Sequence, residues 1–164
     1  MGYPQLLGCS IHNNLEPKFA FLQDRLQLND KQLSKMVLGY PQLLCCSIKD
    51  NLGPTLDSLT DRLQLNDKQV SKMVMTHPPI LWLSIDNNLE PTLEYLTNRL
   101  QLTDKQLSKM VLTCPRLLGC SIECNLEPTW EYLTDRLQLD EKQLLKMVMT
   151  FPPMLGYSID NNLE

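Results

Sequence analysis

The chain of 164 residues lacks most of the features by which a membrane protein, a metalloprotein or an enzyme is recognised. Its apolar runs are only a few residues long, far short of the roughly 20 that span a bilayer, so we expect no membrane partner. No segment alternates apolar and polar positions with β-branched residues, as strands do. An excess of positive charge is also missing, because the formal net charge is −4. That balance by itself argues against a nucleic-acid partner.

Cysteine and histidine do not recur as a metal-ligand set. Cys9, Cys46 and Cys120 share one repeat position with Leu83 and Tyr157, as the periodicity below shows. A position that accepts leucine and tyrosine requires a half-buried apolar group, which free cysteine can supply. Because no Cys/His group returns together, we expect no metal and no cofactor.

Proline, by contrast, is present in a regular order. One set of five prolines recurs every 37 residues and a second set of four keeps the same interval: Pro4, Pro41, Pro78, Pro115 and Pro152, then Pro17, Pro54, Pro91 and Pro128. A fixed period in this range is typical of solenoids. Residues 1–164 are therefore predicted to be a single array of about four repeats. Since the sequence begins and ends inside a repeat, we expect an array truncated at both ends, with self-association through its uncapped ends.

The first half of a repeat reads as a turn and a helix. In the third copy Pro78–Leu83 is short, apolar and led by prolines, which predicts a 3₁₀ turn. Ser84 and Asn88 then suit capping or turn positions. A first helix is predicted from about Leu89 to Leu100, because leucines recur there at i, i+4, i+7 and i+11.

The second half of a repeat reads as another helix. Thr103 with Gln106 three residues later is the capping-box pattern, and an apolar stripe from Leu107 to Cys114 follows. Pro115 ends this second helix. The fold class is therefore all-α: an α-solenoid of 37-residue repeats, each with two α-helices and a short proline-led 3₁₀ turn.

Charged residues also recur in columns. Acids such as Glu90 and Glu94 lie on one flank of the first helix and an arginine lies on its opposite flank, while each second helix carries two lysines that point away from the core. These twelve basic residues are Arg25, Arg62, Arg99, Arg136, Lys31, Lys35, Lys68, Lys72, Lys105, Lys109, Lys142 and Lys146. We therefore expect an acidic edge and a separate basic edge. The lysines can be a solvated face that keeps the array soluble, or a stripe that follows nucleic-acid phosphates.

Two other columns contain residue types that occur in functional sites. The carboxylates recur in every repeat with no recurring nucleophile or base beside them, whereas an enzyme places unique residues in one cleft, so we expect no catalysis. The column of Tyr3, Tyr40, His77 and Phe151 can stack on bases. It also continues the apolar stripe of the second helix, which favours core packing.

The stretches Pro41–Leu44 (Pro-Gln-Leu-Leu) and Lys72–Val74 (Lys-Met-Val) are typical of a repeat that resembles the mitochondrial transcription termination factor family, the mTERF repeats. The likeness covers essentially the whole chain. It implies repeats of two α-helices and a 3₁₀ helix, arranged as a curved superhelix without catalytic residues. It also implies nucleic-acid binding along a basic groove in mitochondria or chloroplasts. Backbone contacts by the twelve arginines and lysines above are expected on the same ground.

The resemblance predicts an organellar nucleic-acid-binding protein that regulates transcription, for example its termination, with double-stranded DNA favoured. One alternative is an RNA-binding factor in organellar RNA processing or ribosome assembly. Another is a protein-binding α-solenoid scaffold, which the acidic edge and the net charge favour.

Overall fold

The structure is a computed structural model that describes residues 15–157. The predictions made for Tyr3, Pro4 and Cys9 lie outside these residues. Within them all regular structure is helical and no strand occurs, which confirms the predicted all-α solenoid of helix pairs and proline-led turns. None of the described helices is long and apolar enough to cross a membrane.

The helices follow the 37-residue period. The first helices of the repeats are α1 Glu16–Leu26, α3 Gly53–Leu63, α5 Glu90–Leu100 and α7 Glu127–Leu137. The second helices are α2 Asp30–Gly39, α4 Asp67–Thr76, α6 Asp104–Thr113 and α8 Glu141–Thr150. The 3₁₀ turns are Pro41–Cys45, Pro78–Trp82, Pro115–Gly119 and Pro152–Gly156.

The chain divides into two compact units, one ending at Ser84 and the other beginning at Ile85. In the first unit α1 packs against α2 and α4, and α3 packs against α4. In the second unit α5 packs against α6, α7 packs against α8, and the 3₁₀ turns that follow α6 and α8 contact each other.

The core of each unit consists of the predicted apolar stripes. In the third copy Leu89, Leu93, Leu96 and Leu100 are all buried, as are three residues of the second helix, Leu107, Met110 and Val111. Full burial of one such side chain contributes about 1.5–3 kcal/mol relative to exposure. Because a lone helix pair cannot cover both stripes, stacked repeats supply the remaining cover.

A π-helical turn precedes each of the last three first helices, at Ile48–Leu52, Ile85–Leu89 and Ile122–Leu126. Ser47 caps the first of these turns with two hydrogen bonds, one accepted and one donated. Its Oγ accepts the backbone N–H of Asp50 at 3.1 Å, and its own N–H donates to Oδ1 of Asn51 at 3.0 Å. Ser121 forms the corresponding bonds, from the N–H of Cys124 at 3.1 Å and to Oδ1 of Asn125 at 3.2 Å. The predicted capping role of the serine and asparagine is confirmed at these two turns.

Each second helix begins with the predicted capping box. At α4, Oδ1 of Asn66 accepts the backbone N–H of Gln69 at 3.0 Å, and Oε1 of Gln69 accepts the backbone N–H of Asn66 at 3.0 Å. The same pair of bonds occurs at Asn29/Gln32, Thr103/Gln106 and Asp140/Gln143. These bonds satisfy backbone donors that the helix itself leaves free.

The connection between the two helices of a repeat contains a feature that the sequence did not predict. Gln27, Gln64, Gln101 and Gln138 have positive φ angles of 51°, 49°, 48° and 48°. In the second copy the N–H of Leu65 donates to the carbonyl of Thr60 at 3.0 Å, which closes the helix end, and the Leu65 side chain is buried. Glycine usually occupies such a position, since a left-handed conformation costs other residues about 1–2 kcal/mol.

Candidate nucleic-acid interface

All eight lysines of the second helices are exposed. In α6 the buried side chains are Leu107, Met110 and Val111, whereas Lys105 and Lys109 lie on the opposite, solvent-facing side. Four residues of helix advance about 6 Å, so the two ammonium groups of one helix are neighbours on the surface. The prediction that the lysine columns point away from the core is confirmed.

In the second unit the lysines of α6 and α8 line one groove. Its lining residues are Lys105, Gln106, Lys109, Lys142, Leu145, Lys146 and Met149. We call it the α6/α8 groove. The four lysines form its charged rim, and Leu145 and Met149 supply apolar surface.

In the first unit a corresponding groove lies between α2 and α4. Its lining residues are Leu26, Gln27, Gln32, Lys35, Asp67, Lys68, Ser71, Lys72, Met75 and Thr76. We call it the α2/α4 groove. It presents three lysines, several uncharged polar groups and one carboxylate.

The repeat predicts a lysine spacing that suits a phosphate backbone. Packed helices lie about 8–10 Å apart, and phosphates of one duplex strand follow each other at about 3.4 Å along the axis. For second helices spaced in this way, we expect one lysine pair about every three nucleotide steps. A lysine ammonium is a point charge that recognises phosphate without reading sequence, so the grooves can position a backbone rather than select a base.

The arginine column has a different environment. Arg25 forms an ion pair with Asp57, and Nε of Arg99 lies 3.3 Å from Oε1 of Glu127. Each pair joins the last turn of one first helix to the first half of the next, across 32 and 28 residues respectively. The prediction of separate acidic and basic edges is therefore wrong at these two pairs. Stacking brings the arginine flank of one first helix against the acidic flank of the next.

The second of these pairs belongs to a larger cluster, which we call the Glu127 cluster: Tyr95, Arg99, Glu127 and Trp130. The Tyr95 hydroxyl donates to Glu127, and the guanidinium of Arg99 lies 5.3 Å from the ring centre of the buried Trp130. Burial, together with the bond to the Glu127 carboxylate, raises the pKa of Tyr95 above its ordinary value. The cluster links α5 to α7 through side-chain contacts.

The other two arginines, Arg62 and Arg136, are exposed in the last turns of α3 and α7. Contact of all four arginines with nucleic acid remains a prediction.

The mTERF family model matches residues 1–102 and, in a second overlapping match, residues 58–164. The chain belongs to the mTERF family. This is a non-catalytic family of nucleic-acid-binding helical-repeat proteins, typically organellar. A search of the curated proteins found no match to the chain.

The aromatic column of the mTERF repeats has no uniform role. Tyr40 packs against Trp82, with ring centres 6.2 Å apart and planes tilted by 49°. Cys114, in the same column as Tyr40, is only 4% exposed, whereas Phe151 is 49% exposed. The core packing that the sequence favoured holds at Cys114 and does not hold at Phe151. The tryptophan that accompanies Tyr40 occurs in one repeat only, so the period did not reveal this contact.

Three thiols of the mTERF repeats lie in surroundings that disfavour metal binding. Burial raises the pKa values of Cys46, Cys114 and Cys120, which favours the neutral thiol over the thiolate that binds metal. Among residues 15–157 no group of three or more His, Cys, Asp or Glu side chains is placed to hold a metal ion.

Proposed function

We propose that the chain binds double-stranded DNA in mitochondria or chloroplasts and regulates transcription there, for example its termination, without catalysis. The observation that carries the proposal is the exposure of all eight second-helix lysines, with four of them around the α6/α8 groove. These lysines would neutralise backbone phosphates and release the counterions that surround the duplex.

The net charge of −4 is not evenly distributed over the surface: each second helix begins with one acid, such as Asp67 in the α2/α4 groove, but carries two lysines. Asp57 and Glu127 are partly neutralised by Arg25 and Arg99 between neighbouring first helices. The lysines lie on second helices and face solvent. Since screening limits electrostatic interactions to about 8 Å at physiological salt, a phosphate in a groove responds chiefly to the local lysines.

The arginines have a secondary place in the proposal. Arginine can add bidentate phosphate contacts, which lysine cannot make. Arg25 and Arg99 would have to exchange or share an intramolecular carboxylate for such a contact, and Arg62 also interacts within the chain, whereas Arg136 is exposed. We therefore expect substitution of the lysines to weaken binding more than substitution of the arginines.

The test is a fluorescence-anisotropy titration with a labelled 20-base-pair duplex at low salt. Charge reversal at Lys31, Lys68, Lys105 and Lys142, each to glutamate, should abolish measurable binding. The matched variant reverses four exposed acids of the first helices, Asp24, Asp61, Glu94 and Glu131, each to lysine, and should bind at least as well as the wild type. Absence of wild-type binding at 50 mM salt refutes the proposal.

Two further measurements in the same assay sharpen the result. The logarithm of the association constant should fall linearly with the logarithm of salt concentration, with a slope of about −0.9 for each phosphate contacted. Double-stranded and single-stranded RNA of the same length serve as competitors. If either RNA displaces the duplex at a lower concentration than unlabelled DNA does, the ligand is RNA and the DNA assignment is wrong.

A further inference from the structure

One recurring set of glutamines has a backbone conformation that glutamine does not favour. We call Gln27, Gln64, Gln101 and Gln138 the glutamine column; they directly follow the first helices, and within residues 15–157 they alone have positive φ angles. Glycine adopts this conformation without steric cost, and asparagine is its commonest substitute at a helix end. Each repeat nevertheless carries glutamine, so the backbone conformation does not explain the choice of side chain.

The side chains of the glutamine column are not used inside the described part of the chain. All four residues are exposed, and their side-chain amides form no hydrogen bond with other residues of 15–157. Other glutamines differ in this respect, because Gln69 closes a capping box and Gln23 donates to Asp30 at 2.7 Å. Each amide of the column therefore offers two N–H donors and an acceptor to solvent or to a ligand.

Two members of the column line basic pockets, one in each unit. Gln27 lines the α2/α4 groove together with Lys68. Gln101 lines a pocket together with Lys142 and Arg99. Lys68 and Lys142 are each the second residue of a second helix, so the same two repeat positions share a pocket in both units.

Both pockets also contain a carboxylate, Asp67 in the first unit and Glu141 in the second. Each carboxylate offsets part of the charge of the lysine that follows it, which weakens the attraction between that lysine and a phosphate. An uncharged amide supplies further N–H donors at the same place. Glutamine is one of the side chains that contact phosphate oxygens in protein–DNA complexes.

The repetition of the glutamine indicates which part of a nucleic acid it suits. Phosphates recur unchanged along a strand, whereas the bases differ from step to step. Repeat proteins that read one base per repeat use side chains that differ between repeats. A glutamine at the same position in all four copies therefore fits the backbone better than the bases.

From these observations we propose that the glutamine column donates hydrogen bonds to the phosphodiester backbone of the bound duplex. This inference rests on the proposed function and adds an uncharged contact to those of the lysines. It also gives a reason why each repeat keeps a left-handed residue that is not glycine.

The experiment removes all four amides in two ways. One variant replaces every residue of the column with glycine, which suits the backbone, and the other replaces every residue with methionine, which keeps the left-handed strain. Both should weaken binding of the 20-base-pair duplex by about tenfold or more, because hydrogen bonds to charged groups are lost. The salt slope should stay within about 0.5 of the wild-type slope, since neutral side chains release no counterions.

Two duplexes of different composition test the assignment to the backbone. The loss of affinity should be the same for a duplex of A·T pairs alone and for a duplex of G·C pairs alone. A loss confined to the A·T duplex would mean that the amides read adenine edges, and it would overturn the assignment.

NMR of the wild-type chain supplies an arm that does not depend on the folding of variants. Saturation with the duplex should shift the side-chain amide signals of Gln27 and Gln101, whereas the signal of Gln69, held in its capping box, should stay in place. Unchanged signals of Gln27 and Gln101 in the bound state would overturn the inference.

The outcomes separate this inference from the proposed function. A wild-type chain that does not bind the duplex overturns both. Binding that is abolished by the lysine reversals described above but is unchanged in the glycine variant overturns the glutamine contacts alone, and a loss in the methionine variant only would do the same. Thermal melts are the folding control: the glycine variant should unfold no lower than the wild type, so that its loss of affinity cannot come from unfolding.

Discussion

The Glu127 cluster offers a direct test of how neighbouring repeats are held together. The perturbation is a double-mutant cycle on Tyr95→Phe and Glu127→Ala. The Tyr95 hydroxyl donates to the Glu127 carboxylate, and Arg99 contacts the same carboxylate at 3.3 Å. Phe21 and Gly53 occupy the equivalent positions in the first unit, so both the hydroxyl and the carboxylate are absent there.

The magnitude follows from the exposure of the partners. A hydrogen bond to a charged group contributes about 1.5–3 kcal/mol when it is shielded from water. The side chain of Glu127 is 33% exposed, so we expect a Tyr95–Glu127 coupling of about 1–2 kcal/mol. Loss of Glu127 also removes its pairing with Arg99, about 0.2–1 kcal/mol for a partly exposed pair, and a favourable charge in the first turn of α7. The single variant Glu127→Ala should therefore be destabilised by about 2–3 kcal/mol.

The assay is urea unfolding followed by circular dichroism at pH 7, with the free energy of unfolding extrapolated to water. Glu131→Ala, an exposed acid one turn further along α7, is the control and should change stability by less than about 0.5 kcal/mol. Additive effects of the two substitutions, within about 0.5 kcal/mol, would refute the view that this hydrogen bond couples the repeats.

Three further predictions concern local features. Asn66→Ala removes one capping box and should lower the free energy of unfolding in urea by about 1 kcal/mol. Asn66→Asp can still accept the bond and should lower it by less. Equal losses for the two variants would contradict the capping role. Because the pKa of Tyr95 is raised above its ordinary value of 10.0 by burial and by Glu127, the folded state holds this proton more tightly than the unfolded chain, so stability should be retained below pH 10.0 and fall above it. Tyr95→Phe should remove that part of the alkaline loss in a pH series of thermal melts, and an unchanged profile would show that another group is responsible. Gln101 has a left-handed conformation at φ 48°, and Gln101→Gly should relieve its strain. After the added freedom of the unfolded chain is deducted, we expect a gain in stability of up to about 1 kcal/mol by differential scanning calorimetry. Destabilisation would mean that the glutamine side chain contributes more than the strain costs.

From the sequence, the candidate interface could be predicted within a single helix but not between helices. Lys105 and Lys109 could be assigned to the outer face because their angular distance from Leu107, Met110 and Val111 is a property of helix geometry. Which lysines share a groove was not predictable, because it depends on the neighbouring second helix. Lys35 of α2 illustrates this, because it lines the same groove as Lys68 and Lys72 of α4.

The sequence by itself determined the 37-residue period, the helix bounds, the capping boxes and the outward lysines. The period is visible as recurrence along the chain, whereas the helix ends, the caps and the outward lysines depend on interactions within about four residues, which proline, asparagine and glutamine encode locally. Only the tertiary structure decided that Arg25 meets Asp57 and that Arg99 meets Glu127, across 32 and 28 residues. Those contacts depend on how one first helix is rotated and placed against the next, which packing of the whole repeat sets. The tertiary structure thereby distinguished arginines that join repeats from lysines that remain available to a ligand.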